Sequence, residues 1–229
     1  VNYYKYKGAD DVYFWFGTDD LGRDMWARLW RGTRVSLIIA VAAVISDVVI
    51  GVVYGAIAGY YGGRLDTIMM RVCDILNAFP NVVICTMFIL IFGSGMPAMI
   101  MALMVRGWIP TARMIRSQFL RFRNREYVMA AETMGVPNRA LIFRHILPNL
   151  MHLVIIYFTL RFAYAVMTEV LVSYLGLGVQ TAPSWGIMIS DGQERLWRGV
   201  WWEVTAATIF SELFFFTSSR ALPPRRDTA

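Results

Sequence analysis

Five apolar blocks, at residues 35–60, 66–92, 97–117, 149–172 and 200–216, constrain this chain more than anything else in it. A helix needs roughly 20 apolar residues to cross a bilayer. Hydrophobic residues make up 57% of the 229 positions and charged ones only 17%, too few to cover a soluble domain of this length. The expectation is an all-α, polytopic transmembrane helical bundle. At 1.5 Å per residue, a block such as 149–172 reaches roughly 36 Å and crosses with some tilt.

Charge orients the bundle. The net charge is +6, and the only lysines are Lys5 and Lys7. Residues 113–145, from the end of the third block towards the fourth, carry Arg113, Arg116, Arg121, Arg123, Arg125, Arg139 and Arg144, opposed only by Glu126 and Glu132. Loops rich in Arg stay on the cytoplasmic side, so this basic charge marks topology rather than a nucleic-acid surface. Threading from there places 1–34, the 93–97 turn and 175–199 outside, and 61–65 and the tail 218–229 inside. Residues 1–34 hold several Arg on the outer side, against the rule, softened by five Asp in the same stretch. The chain opens on Val1 in a polar segment; no cleaved leader is expected, and these first residues read as the interior of a longer protein.

Local signals refine the blocks. Asp19, Asp20 and Asp24 sit where a helix cap is needed, and Met25, Trp26, Leu29 and Trp30 follow at helical spacing. Two readings stand for that stretch: a helix in the membrane interface, or a solvated amphipathic helix in a lid. Gly51, Gly55 and Gly59 recur at four-residue steps, giving one helix face on which a neighbour can approach closely. Pro80 predicts a bend in the second span, and Pro148 fits the first turn of the fourth. Cys73 and Cys85 read as packing residues. His145 and His152 have no third ligand nearby, so no metal is expected. There is no phosphate-binding G-x-x-x-x-G-K-[ST] loop, no catalytic constellation and no cofactor site, so the chain is not read as an enzyme.

Asp47, Arg106 and Glu169 are ionisable residues inside apolar blocks, where charge costs on the order of 2.5–3.5 kcal/mol per residue. Either they line a translocation path, or they pair with one another or cap a neighbouring helix. Asp47 and Arg106 share a bilayer depth, which makes them candidates for a mutual pair.

The basic segment 121–147 reads as two short helices. Glu126–Met134 forms the first, Gly135 stops it, and Val136-Pro137-Asn138 restarts the chain into a second through Ala140–Ile146. Small residues at Ala130 and Ala131 admit a partner surface. Such a pair acts as a lever on the spans at either side; the alternative is an ordinary surface loop.

Five motifs carry a resemblance: Glu126-Tyr127-Val128-Met129-Ala130-Ala131-Glu132-Thr133-Met134-Gly135 running to His145-Ile146-Leu147-Pro148-Asn149; Phe16-Gly17-Thr18-Asp19-Asp20-Leu21-Gly22-Arg23-Asp24; Gly55-Ala56-Ile57-Ala58-Gly59-Tyr60-Tyr61-Gly62-Gly63; Leu175-Gly176-Leu177-Gly178 with Glu169 upstream; and Pro183-Ser184-Trp185-Gly186. In order and approximate spacing, from residue 16 to about 205, the chain resembles the C-type permease subunit of dipeptide/oligopeptide ABC importers. The resemblance implies five spans of a six-span permease core (35–217) with a cytoplasmic coupling helix pair, in a bacterial inner membrane. It implies a second permease subunit, two cytoplasmic ATPase subunits and an extracytoplasmic peptide-binding protein. Ala130, Ala131, Gly135, His145 and Pro148 are then the ATPase-coupling residues; Glu169 matches the family in position and stands level between path and packing, while for Asp47 and Arg106 pairing or capping is favoured over the path. Met129 replaces a Glu that often precedes the Ala pair, and the resemblance stops beyond about 210. Other classes remain open at this stage: an ion-coupled carrier with Asp47, Arg106 and Glu169 as a relay, a permease for another solute such as nickel, and a non-transporting scaffold.

Overall fold

The computed structural model describes residues 14–19, 21–179, 182–197, 199 and 202–220, without the side chains of Glu203 and residues 218–220. Lys5, Lys7 and the tail beyond residue 220 lie outside the described residues. Among the described residues the regular elements are all helices: α1 (Met25–Tyr61), α2 (Gly63–Ala78), α3 (Asn81–Phe92), α4 (Met96–Phe122), α5 (Glu126–Thr133), α6 (Asn138–Leu177), α7 (Trp185–Leu196) and α8 (Trp202–Arg220).

Helix α1 fuses two predicted pieces. The Asp24 carboxylate accepts the amides of Trp26 and Ala27, capping a single 37-residue helix that absorbs both the amphipathic stretch and the first apolar block. At 1.5 Å per residue it is roughly 55 Å long, beyond the hydrocarbon core of about 30 Å, so one end stands clear of the apolar zone. The spine of the fold is α1 against α4. A Cβ at Gly51 would lie 2.6 Å from Thr111 Cβ, one at Gly59 would lie 2.6 Å from Phe119 Cβ, and one at Gly55 would strike the Ala112 carbonyl. Three successive turns of α1 therefore rest on the backbone of α4, as the glycine spacing predicts.

The second span breaks. Pro80 has no amide to donate and holds Phe79 extended, so α2 and α3 meet at 78°. Gly93 ends α3 with φ +83, and α4 starts with Pro97 in its first turn. The expected second coupling helix is not separate. The chain from Asn138 runs without interruption into the membrane-crossing part of α6, 40 residues in all, through a π-helical turn at Leu141–Ile146. Pro148 consequently sits inside a continuous helix, just past a turn whose wider bonding tolerates its missing donor. A second π turn, Ser173–Leu177, ends α6 where Gly176 takes φ +79. The predicted outer loop 175–199 contains the 12-residue helix α7, capped by Ser184.

Among the described residues, α1, α4 and α6 are long and apolar enough to cross a membrane, and the bent α2–α3 pair makes a fourth crossing if counted as one span. In the expected fifth, at 200–216, the described residues from Trp202 form a helix, but its apolar part, Val204–Thr217, is shorter than a full crossing. The molecule is a polytopic helical membrane protein.

Candidate functional site

Two sites emerge, one between the helices and one at an end of the bundle. Asp47 of α1, Asn77 of α2, Arg106 of α4 and Arg161 of α6 line a cavity of about 110 Å³ beside the α2–α3 break. Asp47 is 2% exposed. Its partner is Arg161, whose Nη2 lies 3.4 Å from Asp47 Oδ2 and donates to the Gly107 carbonyl at 2.9 Å. The carboxylate rests against Gly107, where no side chain would fit. Arg106 does not pair with Asp47. It donates to the Phe79 carbonyl at 2.9 Å and to Asn77 Oδ1 at 2.8 Å. Phe79 closes no turn into α3, because Val83 and Ile84 both donate to Pro80, so Arg106 satisfies a carbonyl that the break sets free.

Sequence reasoning misses Arg161. A single cation inside the apolar run 149–172 is the signal that could have found it.

Glu169 lies elsewhere. It is 0% exposed and accepts from Ser173 Oγ at 2.6 Å, with the Ser36 and Ser184 hydroxyls facing the same carboxyl. No side chain fits at Gly178 or Gly186, which would strike Ser173 and the Val170 carbonyl. Trp185, 1% exposed, donates to Thr33 Oγ1 at 3.1 Å. Thus Leu175-Gly176-Leu177-Gly178 and Pro183-Ser184-Trp185-Gly186 pack α7 onto α6 and α1 around Glu169. The structure does not bring Glu169 to the cavity of Asp47 and Arg106, and a three-residue relay has no geometry to run on.

The same end of the bundle holds an ion network. Arg28 bridges Asp19 at 2.7 Å and Asp191 at 3.1 Å, and Arg23 joins Asp19 at 2.7 Å. Burial pushes the Asp19 carboxyl up, but hydrogen bonds from the Arg23 amide and guanidinium, with the charges of Arg28 and Arg23, hold it below its usual value. Two of the Arg that seemed to violate the charge rule are therefore neutralised by carboxylates. Arg64, Arg121, Arg123, Arg125, Arg139 and Arg144 are at the opposite end.

At that basic end sits α5. Its last turn closes through Met134 N to Ala130 O at 3.1 Å and Val136 N to Ala131 O at 3.2 Å, and Gly135 takes φ +81 to allow it. Ala130 and Gly135 are exposed, and Met134 is 76% exposed. Ala131 is 3% exposed and packs with Val128 against Phe119, Leu141, Ile142 and Ile146, so it seats the helix rather than offering a surface. His145 is half-buried and Pro148 exposed. Asn149 Nδ2 donates to Tyr127 Oη at 3.2 Å and to the His145 carbonyl at 2.8 Å, fastening α6 to α5. Tyr60 at the end of α1 donates to Asn138 Oδ1 at 3.0 Å, and Arg123 donates to the Tyr60 carbonyl at 2.9 Å. These contacts tie α1, α4, α5 and α6 together at the basic end.

The chain is 46% identical over 189 residues to the oligopeptide transport system permease protein OppC of Bacillus subtilis (82% of this chain, 62% of that protein). It is 42% identical over 204 residues to the dipeptide transport system permease protein DppC of the same organism (88% and 63%). It thus spans under two thirds of the length of these relatives. Its fold is similar to that of a chain solved in inward-facing conformations of the MetNI methionine ABC transporter, with a TM-score of 0.63 at 19% identity, covering 86% of this chain and 95% of that one. The family described as binding-protein-dependent transport system inner membrane component matches residues 51–228, past the point near 210 where the motif resemblance ends. With that match, and with relatives this close, the chain belongs to the binding-protein-dependent transport system inner membrane component family.

Proposed function

We propose that this chain is a permease subunit of an ABC importer for peptides, forming part of the translocation path and coupling it to ATP hydrolysis by partner subunits. The observation that carries the reading is the seating of α5: its exposed face (Met129, Ala130, Met134, Gly135) is free for a partner, while its buried face shares a core with three long helices. His145 and Pro148 lie on the adjoining turn of α6 and complete the docking region. Two cytoplasmic ATPase subunits, a second permease subunit and an extracytoplasmic peptide-binding protein complete the importer, in a bacterial inner membrane. The basic end faces the cytoplasm, and the end carrying Asp19 and α7 faces outward. Asp47 and Arg106 line the path; Glu169 holds α7 in place at its outer end. Close relatives named for dipeptide and oligopeptide transport support peptides over other solutes.

The test is reconstitution of the assembled importer in proteoliposomes with a labelled tripeptide. ATP-dependent uptake is expected. Uptake driven by an ion gradient without ATP would overturn the reading in favour of a carrier.

A further inference from the structure

We propose that the cavity between α1, α2, α4 and α6 is a subsite for the C-terminal residue of a peptide, binding its free carboxylate and its last amide. The inference rests on the peptide-import reading and adds to it the chemical group that is recognised.

Charge comes first. Two guanidiniums, Arg106 and Arg161, line the cavity with one carboxylate, Asp47. Arg161 is neutralised by Asp47. Among the described residues, Arg106 bonds only neutral acceptors, the Phe79 carbonyl and Asn77 Oδ1. The cavity therefore keeps one positive charge, in an environment where an anion is the natural complement.

Unmet hydrogen bonds come second. Asp47 Oδ1 and Arg161 Nε are both buried without a hydrogen-bond partner among the described residues. Both atoms belong to residues that line the cavity, and a buried polar atom left unpaired is costly, so opening of the cavity onto a ligand's polar groups would satisfy them. One is an acceptor and the other a donor. The terminal residue of a peptide carries the complementary set, an amide N–H for Asp47 Oδ1 and a carboxylate for Arg161 Nε and the Arg106 charge. Guanidinium suits this, because its planar donors match a carboxylate.

Size comes third. About 110 Å³ accommodates one terminal residue's polar groups and not a whole peptide. Recognition of this kind reads an end common to all peptides and ignores side chains, which fits a path that must pass varied sequences.

The experiment uses the assembled importer in nanodiscs with Thr168→Cys, a near-isosteric change on the cavity wall. Native Cys73 and Cys85 are buried, so the unsubstituted importer supplies the background. The labelling rate with methyl methanethiosulfonate is measured against trialanine free acid, trialanine amide and acetate. The free acid is expected to slow labelling at concentrations about ten-fold below those the amide requires. Arg106→Gln, which leaves the Asp47–Arg161 pair intact, is expected to bring acid and amide together. Equal protection by acid and amide in Thr168→Cys with Arg106 retained would overturn the proposal. Acetate protecting as well as trialanine would overturn it in favour of a bare anion site. No labelling of Thr168→Cys above background would overturn it too, since a substrate subsite must open to water. Normal ATP-dependent uptake alongside any of these failures would leave the import reading standing and remove only the carboxylate subsite.

Discussion

Asp47 of α1 reaches Arg161 of α6, 114 positions away, and leaves Arg106 to hold the carbonyl of Phe79 at the helix break. Breaking one partner of such a buried pair exposes the other, at a cost of about 3–5 kcal/mol. Asp47→Asn and Arg161→Gln are each expected to destabilise the protein by that order in mixed-micelle denaturation, and the double variant by much less than the sum. The coupling of Asp47 with Arg106, measured in the same way, is expected to be smaller. A larger Asp47–Arg106 coupling would contradict the pairing.

The glycine face of α1 gives a second expectation. Gly55→Ala forces a Cβ onto the Ala112 carbonyl, backbone that cannot swing aside, and should cost about 1–3 kcal/mol. Gly95→Ala meets only Pro97 Cδ at 3.5 Å and has a negative φ, so it should stay within about 0.5 kcal/mol. Equal stability of the two variants in thermal unfolding would refute the close α1–α4 contact.

Much of this architecture is legible in sequence where one residue type acts alone. Gly51, Gly55 and Gly59 announce a contact face by period, Pro80 announces a break, and Gly135 a helix stop. What depends on two distant residues is not legible. The pairing of Arg28 with Asp191 appears only once α7 is folded against α1, and Arg161 stands out as a lone cation in an apolar run without showing that Asp47 is its partner. Ala131 reads as part of a partner surface because smallness serves an interior contact equally well. The start of α1 at Met25 rather than near 35 follows from the same cause: interleaved Arg breaks the hydropathy signal without breaking the helix.

The ion network around Asp19 sets a pH dependence. Its folded pKa lies below the ordinary 3.8, so its contribution to stability is complete above that value and is lost as pH falls through the lower, folded one. Carboxyl-carbon NMR of the detergent-solubilised protein should show Asp19 titrating below pH 3.8. Titration above it would mean that burial outweighs the two arginines.

The contact of Tyr60 with Asn138 ties α1 to the start of α6. Tyr60→Phe removes one hydrogen bond, worth about 1 kcal/mol. The expected outcome is an assembled importer that hydrolyses more ATP per peptide taken up. An unchanged ratio would remove this contact from the lever.

The central claim, that the exposed face of α5 is where the ATPase acts on this subunit, is tested most directly by cysteine cross-linking in the assembled importer. Met134→Cys, 76% exposed at the tip of α5, should cross-link to the ATPase subunit, with yield that changes on ATP binding, while Ala131→Cys, on the buried face, should not. Cross-linking from Ala131→Cys with none from Met134→Cys would contradict the account.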